Sequence, residues 1–180
     1  MKVLLFLAEG FEEIEAIAAI DIFRRADIEV ISISISNDKT VCGAHKVCII
    51  ADSIFDETDF SGDFLIYLPG GLPGTTNLDN HAGLKQLIAN QITKGNEIAA
   101  ICAAPSILGK MGILKGKEAI CYPCFESQLL ESNISKKTIV KSNTIYTAKA
   151  AGVAIQFALR IVEDLCGKEK AKEIEESIYL

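Results

Sequence analysis

Short β-branched or apolar runs alternate with helical patterns along the whole chain, and this alternation constrains the fold more than any other feature. Strands separated by helices of 10–15 residues imply βαβ units, a mostly parallel sheet and helices on both faces. Lys2–Ala8 reads as a fully buried strand and is followed by a helix from Glu12 to about Ala26. Ile28–Ile35 reads as a strand, and Val41–Ile50, which contains Gly43, as a hairpin. Phe64–Leu68 is a strand that stops at Pro69-Gly70-Gly71, and Ala82–Lys94 is an amphipathic helix closed by Gly95. Glu97–Ile101 is a further strand, and Pro105–Met111 a helix ended by Gly112. Ala119–Tyr122, Thr138–Val140 and Asn143–Thr147 read as short strands, Ala150–Cys166 as a long helix and Lys168–Glu176 as a last helical segment. No linker divides the pattern, so residues 1–180 are expected to form one domain.

Composition excludes several classes. Hydrophobic residues make up 49% and charged residues 23%, as in a folded globular protein. No apolar run reaches the ~18 residues of a membrane span. Val3–Ala8 is too short for a secretory signal and runs into Glu9, Glu12 and Glu13. Net charge is −6 with no basic block, which argues against nucleic acid as a partner. Six cysteines without an export signal suggest reduced thiols in a cytoplasmic protein. Two histidines leave little room for metal or imidazole chemistry.

In sheets of this kind ligands sit beyond the carboxyl ends of the strands, which directs attention to the residues after Ala8, Leu68 and Ile101. Cys102 follows the strand Glu97–Ile101 directly and precedes Ala103-Ala104-Pro105. Pro105 suits a first helical turn, so Cys102 is expected on a strand-to-helix turn. Free amides and the helix dipole there favour a thiolate, and the amide after the nucleophile can serve an oxyanion. The plainer alternative is a buried structural cysteine. On a helical wheel Glu15 falls between Ile22 and Ala19, inside an apolar arc about 200° wide. Either the helix entry tilts it into water, or it is a carboxyl held protonated by burial. Glu12 and Glu13 lie in the first turn, where the dipole accounts for them. Leu68-Pro69-Gly70-Gly71 is either a tight turn or a close-approach loop whose amides face an oxyanion; it is not a phosphate-binding loop.

Together Glu9-Gly10-Phe11-Glu12-Glu13-Ile14-Glu15-Ala16, Leu68-Pro69-Gly70-Gly71 and Ala99-Ala100-Ile101-Cys102-Ala103-Ala104-Pro105 resemble the three signatures of the ThiJ/PfpI family. The resemblance is nearest to its Parkinson disease protein 7-like branch, within the class I glutamine amidotransferase-like superfamily. It covers essentially the whole chain, including Gly152 through Glu163. It implies a flavodoxin-like three-layer α/β sandwich and a homodimer. It also implies an oxidisable nucleophile at Cys102, a protonated partner at Glu15, and backbone amides from Gly71 and Ala103. Gly70, Tyr122 and His45 would line the pocket. The activities implied are a glutathione-independent glyoxalase or deglycase acting on small aldehydes or glycated substrates, peroxide sensing, or holdase chaperoning. None needs a cofactor or metal.

The pattern departs from many relatives at one place: Tyr122 stands where they carry a histidine, so a Cys-His peptidase would lack its base. Cys121 and Cys124 form a C-x-x-C that offers either an exchangeable disulfide or two independent thiols, with Cys124 a possible resolving thiol for Cys102. No second ligand pair accompanies them for zinc. Cys42, Cys48 and Cys166 read as packing or incidental surface thiols, and His45 and His81 otherwise as loop residues.

Overall fold

The first strand shows why the sheet is central. In the computed structural model, which describes residues 2–180, β1 (Lys2–Leu7) is buried from Val3 to Leu7. Val3, Leu5 and Leu7 enter one core cluster, while Leu4, Phe6 and Ala8 enter another. The two-residue period of a strand thus places β1 between two helical layers.

After β1 come α1 (Glu13–Arg25), β2 (Glu29–Ser34) and a hairpin of β3 (Thr40–Cys42) and β4 (Cys48–Ile50). β5 (Ser53–Ile54), β6 (Phe64–Leu68), α2 (Gly74–Asn80), α3 (Ala82–Lys94) and β7 (Ile98–Ile101) follow. Next are α4 (Pro105–Lys110), β8 (Glu118–Ala119), β9 (Asn133–Ile134), β10 (Ile139–Ser142) and β11 (Ile145–Ala148). The chain closes with α5 (Ala154–Cys166) and α6 (Lys168–Ser177). The main sheet has seven strands in the order β10-β11-β7-β6-β1-β2-β5. All neighbours are parallel except β10 and β11. Ala16, Phe23, Phe157, Ile161 and Ile174 bring α1, α5 and α6 onto one face, and Leu78, Leu84, Ile88 and Ile107 bring α2, α3 and α4 onto the other. This is the three-layer, flavodoxin-like α/β arrangement expected.

The chain passes from β1 to β2 on one side and returns through β6 on the other. The ends of β6 and β1 therefore form a topological switch point, with β7 alongside. The predicted hairpin is present, and α3 has the expected limits, capped by His81 and stopped by Gly95 at φ +74°. Three expectations are corrected. β8 covers only Glu118–Ala119, because the chain then turns out of the small sheet toward Tyr122. α5 starts at Ala154 after a 3-10 turn over Ala151–Val153. α2 was not anticipated, since Gly74-Thr75-Thr76-Asn77 lacks an apolar period. Among the described residues no helix is long and apolar enough to cross a membrane.

Candidate active site

Cys102 lies directly after β7 with φ +64°, a left-handed conformation uncommon for a residue with a side chain. The bend is fixed on both sides. Cys102 N–H donates to Ala148 O at 2.9 Å, and its carbonyl accepts from Tyr122 N–H at 2.7 Å. Pro105 opens α4, as its missing N–H allows. Cys102 is half-buried, and the backbone amides of Ala103 and Gly71 hydrogen-bond to its sulfur.

Glu15 is wholly buried, so the helical-wheel placement holds and the tilt into water does not occur. Its Oε2 accepts from Gly70 N–H at 2.7 Å. Its Oε1 is buried without a partner of full hydrogen-bond geometry, and the polar side chain coupled to the carboxyl is Cys102. Gly70 is required by close approach: a Cβ there would lie 2.7 Å from Cys102 Cβ and 2.9 Å from Glu15 Oε2. Glu12 N–H donates to Gly70 O at 2.9 Å, tying the start of α1 to the loop after β6. Three strand ends thus converge on one sulfur.

Burial raises the Glu15 pKa from 4.5 to about 7, with the charge of Glu12 adding and the bonds from Gly70 and Cys102 opposing. Burial, then the charge and hydrogen bond of Glu15, push the Cys102 thiol up to about 12, against the amides of Ala103 and Gly71. Desolvation and the neighbouring carboxylate thus work against the pull toward a thiolate that the helix terminus and the two amides provide. The two groups titrate as a pair. A charged Glu15 repels a thiolate, whereas a protonated Glu15 turns the same contact into a donated hydrogen bond. Between about pH 7 and 12 the pair therefore holds one proton for two sites.

The other predicted positions are dispersed. Tyr122 meets the site through its backbone, and the residue is 47% exposed. Cys121 and Cys124 are both free; Cys121 is buried in the core and Cys124 is exposed at φ +78°. The disulfide present joins Cys42 to Cys48 instead, correcting their reading as free thiols. These residues face each other in the β3–β4 register, which no sequence spacing reveals. His45 lines a cavity with Glu12, Glu13, Ile14 and Val47, in which Cys102 has no part. Its Nδ1 pairs with Glu13 Oε2 at 3.0 Å. That bond, with the charges of Glu12 and Glu13, raises the His45 pKa.

Glu13 needs more than the helix dipole to explain it. It is buried, and its Oε1 accepts from His45 N–H at 2.7 Å and Val47 N–H at 3.3 Å. Burial works to raise its pKa, and the His45 side chain and these amides lower it on balance. Glu12, Glu13 and His45 offer three ligand atoms within 4.8 Å of one another, the one such group among the described residues that could hold a metal ion. His81 Nδ1 accepts from Leu84 N–H at 3.0 Å, so its imidazole is engaged as a cap.

The family model described as "DJ-1/PfpI family" matches residues 1–164. Protein dj-1beta of Drosophila melanogaster is 36% identical over 179 residues, covering 98% of this chain and 96% of the relative. The glutathione-independent glyoxalase DJR-1.2 of Caenorhabditis elegans is 30% identical over 174 residues, covering 96% and 92%. The solved structure of oxidized Toxoplasma gondii DJ-1 superposes with a TM-score of 0.91 at 36% identity, covering 99% of this chain and 97% of its own.

Proposed function

This chain belongs to the DJ-1/PfpI family, and from that premise we propose that it is a cysteine-dependent enzyme acting on small 2-oxoaldehydes. The observation that carries the reading is the convergence of a half-buried cysteine, a carboxyl with a pKa of about 7 and two backbone amides. A general base is most effective when its pKa lies near the working pH. The relative named as a glutathione-independent glyoxalase supports the choice of substrate.

In the proposed reaction the Cys102 sulfur bonds to the aldehyde carbon as its proton passes to Glu15. The carbonyl oxygen becomes an alkoxide held by the Gly71 and Ala103 amides and takes up a proton to give a hemithioacetal. Glu15 then relays the proton from C1 to C2 through an enediol. C1 is oxidised to a thioester while the C2 ketone is reduced to an alcohol. Water cleaves the thioester, releasing a 2-hydroxy acid and restoring the thiol. The net change is addition of one water, and every proton moves between Glu15, substrate and solvent. A glycated substrate presenting a hemiaminal of the same aldehyde would enter the same site. Both imidazoles are engaged elsewhere, His45 with Glu13 and His81 as a cap, which argues against a Cys-His peptidase. The test is methylglyoxal consumption by the wild type and Cys102→Ser. Loss in the variant is expected, and full retention refutes the proposal.

A second reading, a peroxide sensor, draws on the same amides and on the relative solved in an oxidized form. Mild peroxide should then add about two oxygens to Cys102 before the other thiols react. Uniform oxidation across the cysteines contradicts it. We also propose a homodimer. Ile14 and Ile17 of α1 and Val47 and Ile50 of the hairpin are exposed, and Ile14 and Val47 line one cavity. Sedimentation at micromolar concentration should give twice the chain mass, and a monomer contradicts this.

A further inference from the structure

The Cys42–Cys48 disulfide sits where the fold has little structural need of one. A chain of this size builds a sufficient core without cross-links, and neither cysteine belongs to a core cluster. The two residues face each other across β3 and β4, which have three residues each and form a two-stranded sheet of their own. A two-stranded hairpin by itself is marginally stable in water, so the S–S bond is the main link across this one. Cys48 is exposed and Cys42 half-buried. Exposed disulfides are the ones that exchange with outside thiols, whereas structural disulfides resist reduction.

The hairpin also holds the segment that leads into the active site. Gly10 N–H donates to Cys42 O at 2.8 Å, Cys42 N–H to Glu9 Oε2 at 3.0 Å, and Ala44 N–H to Phe11 O at 2.8 Å. The loop between the two cysteines supplies the His45 and Val47 amides on buried Glu13, and a Cβ on Gly43 would run into the Glu13 carboxyl. The segment from Glu9 to Glu13 in turn backs the loop after β6. Gly74 N–H donates to Gly10 O at 3.1 Å, and a Cβ on Gly71 would lie 2.6 Å from Gly10 O and from Phe11 C. Gly71 carries one of the two amides on the Cys102 sulfur. A continuous run of backbone contacts thus leads from the disulfide to the reactive sulfur.

We propose that Cys42–Cys48 is a second redox site, a disulfide that exchanges with a dithiol and whose state sets how firmly the Gly71 amide is held against Cys102. One thiolate of the dithiol attacks the exposed Cys48 sulfur, the S–S bond breaks, and Cys42 leaves as a thiolate that takes up a proton. The second thiolate of the dithiol attacks its own sulfur in the mixed disulfide and releases Cys48, which is protonated in turn. Two electrons pass to the protein, the dithiol becomes a disulfide, and the two protons it gave up end on Cys42 and Cys48. Opening the bond leaves the hairpin without its main link. Its hold on the segment from Glu9 to Glu13 relaxes, and the Gly71 amide supports a thiolate at Cys102 less well. Cys102 is already a free thiol, so the reductant leaves its own oxidation level unchanged. The effect reaches that sulfur whatever substrate it attacks.

The test compares the oxidised wild type, the same protein reduced to completion with excess dithiothreitol and then desalted, and the variant Cys42→Ser/Cys48→Ser. Following reduction to completion means that an association screening the hairpin alters only its rate. Thiols counted after desalting and denaturation should rise from the four free cysteines by the two of the disulfide. Hydrogen exchange at the Gly10, Ala44, His45 and Val47 amides should quicken about tenfold on reduction, while the amides of β7 keep their protection. Iodoacetamide at pH 8 should modify Cys102 about threefold more slowly, as expected when one of its hydrogen-bond donors loosens. Reoxidation should restore both rates, and the double variant should match the reduced form with or without dithiothreitol. A disulfide that dithiothreitol leaves intact in the folded protein overturns the proposal. So does an opened disulfide with the Cys102 rate unchanged or raised. Quickened exchange throughout β7 also overturns it, since the bond would then be a cross-link for the whole fold. Should the double variant fail to fold, the wild type in its two states decides alone.

Discussion

Replacing Glu15 with glutamine tests the electrostatics of the site in isolation. The amide is nearly isosteric, keeps an oxygen for the Gly70 N–H and cannot ionise. In the folded protein the Glu15 pKa is raised from 4.5 to about 7, chiefly by burial. The native state therefore binds more protons than the unfolded chain between these values, and wild-type stability falls as pH rises through them. At ~1.4 kcal/mol per tenfold change, the full loss is about 3 kcal/mol. The Cys102 thiol, raised from 9.0 to about 12, adds its own loss only in more alkaline solution. Urea unfolding of both proteins at pH 5 and pH 8 isolates the effect, because titrations not coupled to Glu15 cancel in the double difference and that of Cys102, which is coupled, falls in more alkaline solution. Glu15→Gln should lose about 3 kcal/mol less than the wild type between the two conditions. A double difference below about 1 kcal/mol would mean that Glu15 is not desolvated, and the reasoning about the pair would fail with it.

Gly70→Ala places a methyl 2.7 Å from Cys102 Cβ and 2.9 Å from Glu15 Oε2, so turnover should be lost and stability should fall by ~1–3 kcal/mol. Wild-type activity and denaturation midpoint in that variant would contradict the geometry. Reducing Cys42–Cys48 opens a loop of sequence separation 6, which corresponds to ~2 kcal/mol of unfolded-state constraint. The urea midpoint should drop on adding reductant, and a count of six reactive thiols in the untreated, denatured protein would refute the bond. The His45 imidazole should titrate above 6.5 by NMR, and Glu13→Gln should lower its midpoint. Any stabilisation from the charged pair is present on the acid side and fades as pH rises through that midpoint. An unchanged midpoint would show that the ion pair does not form.

The fold was legible because its signals are local. The apolar run at Val3–Leu7 can only be a strand covered on both faces, and Gly95 and Pro105 mark helix ends by their backbone chemistry. Cys102 and Glu15 were legible for the same reason, one on a strand-to-helix bend and the other on the wrong side of an amphipathic helix. What escaped depends on contacts between segments distant in sequence. The Cys42–Cys48 bond needs the hairpin register, and the burial of Glu13 needs the amides of His45 and Val47 from that hairpin. The protonation of Cys102 needs the desolvation of a finished core together with the charge of Glu15.

The most direct test of the central claim is the pH dependence of Cys102 alkylation by iodoacetamide, followed by mass spectrometry in the wild type and Glu15→Gln. If sulfur and carboxyl share one proton, the wild-type rate rises with a midpoint near 7, where the pair gives up its first proton. That step vanishes in the glutamine variant. A wild-type midpoint at ~8.5, the value of an isolated cysteine, that the substitution leaves in place would contradict the account.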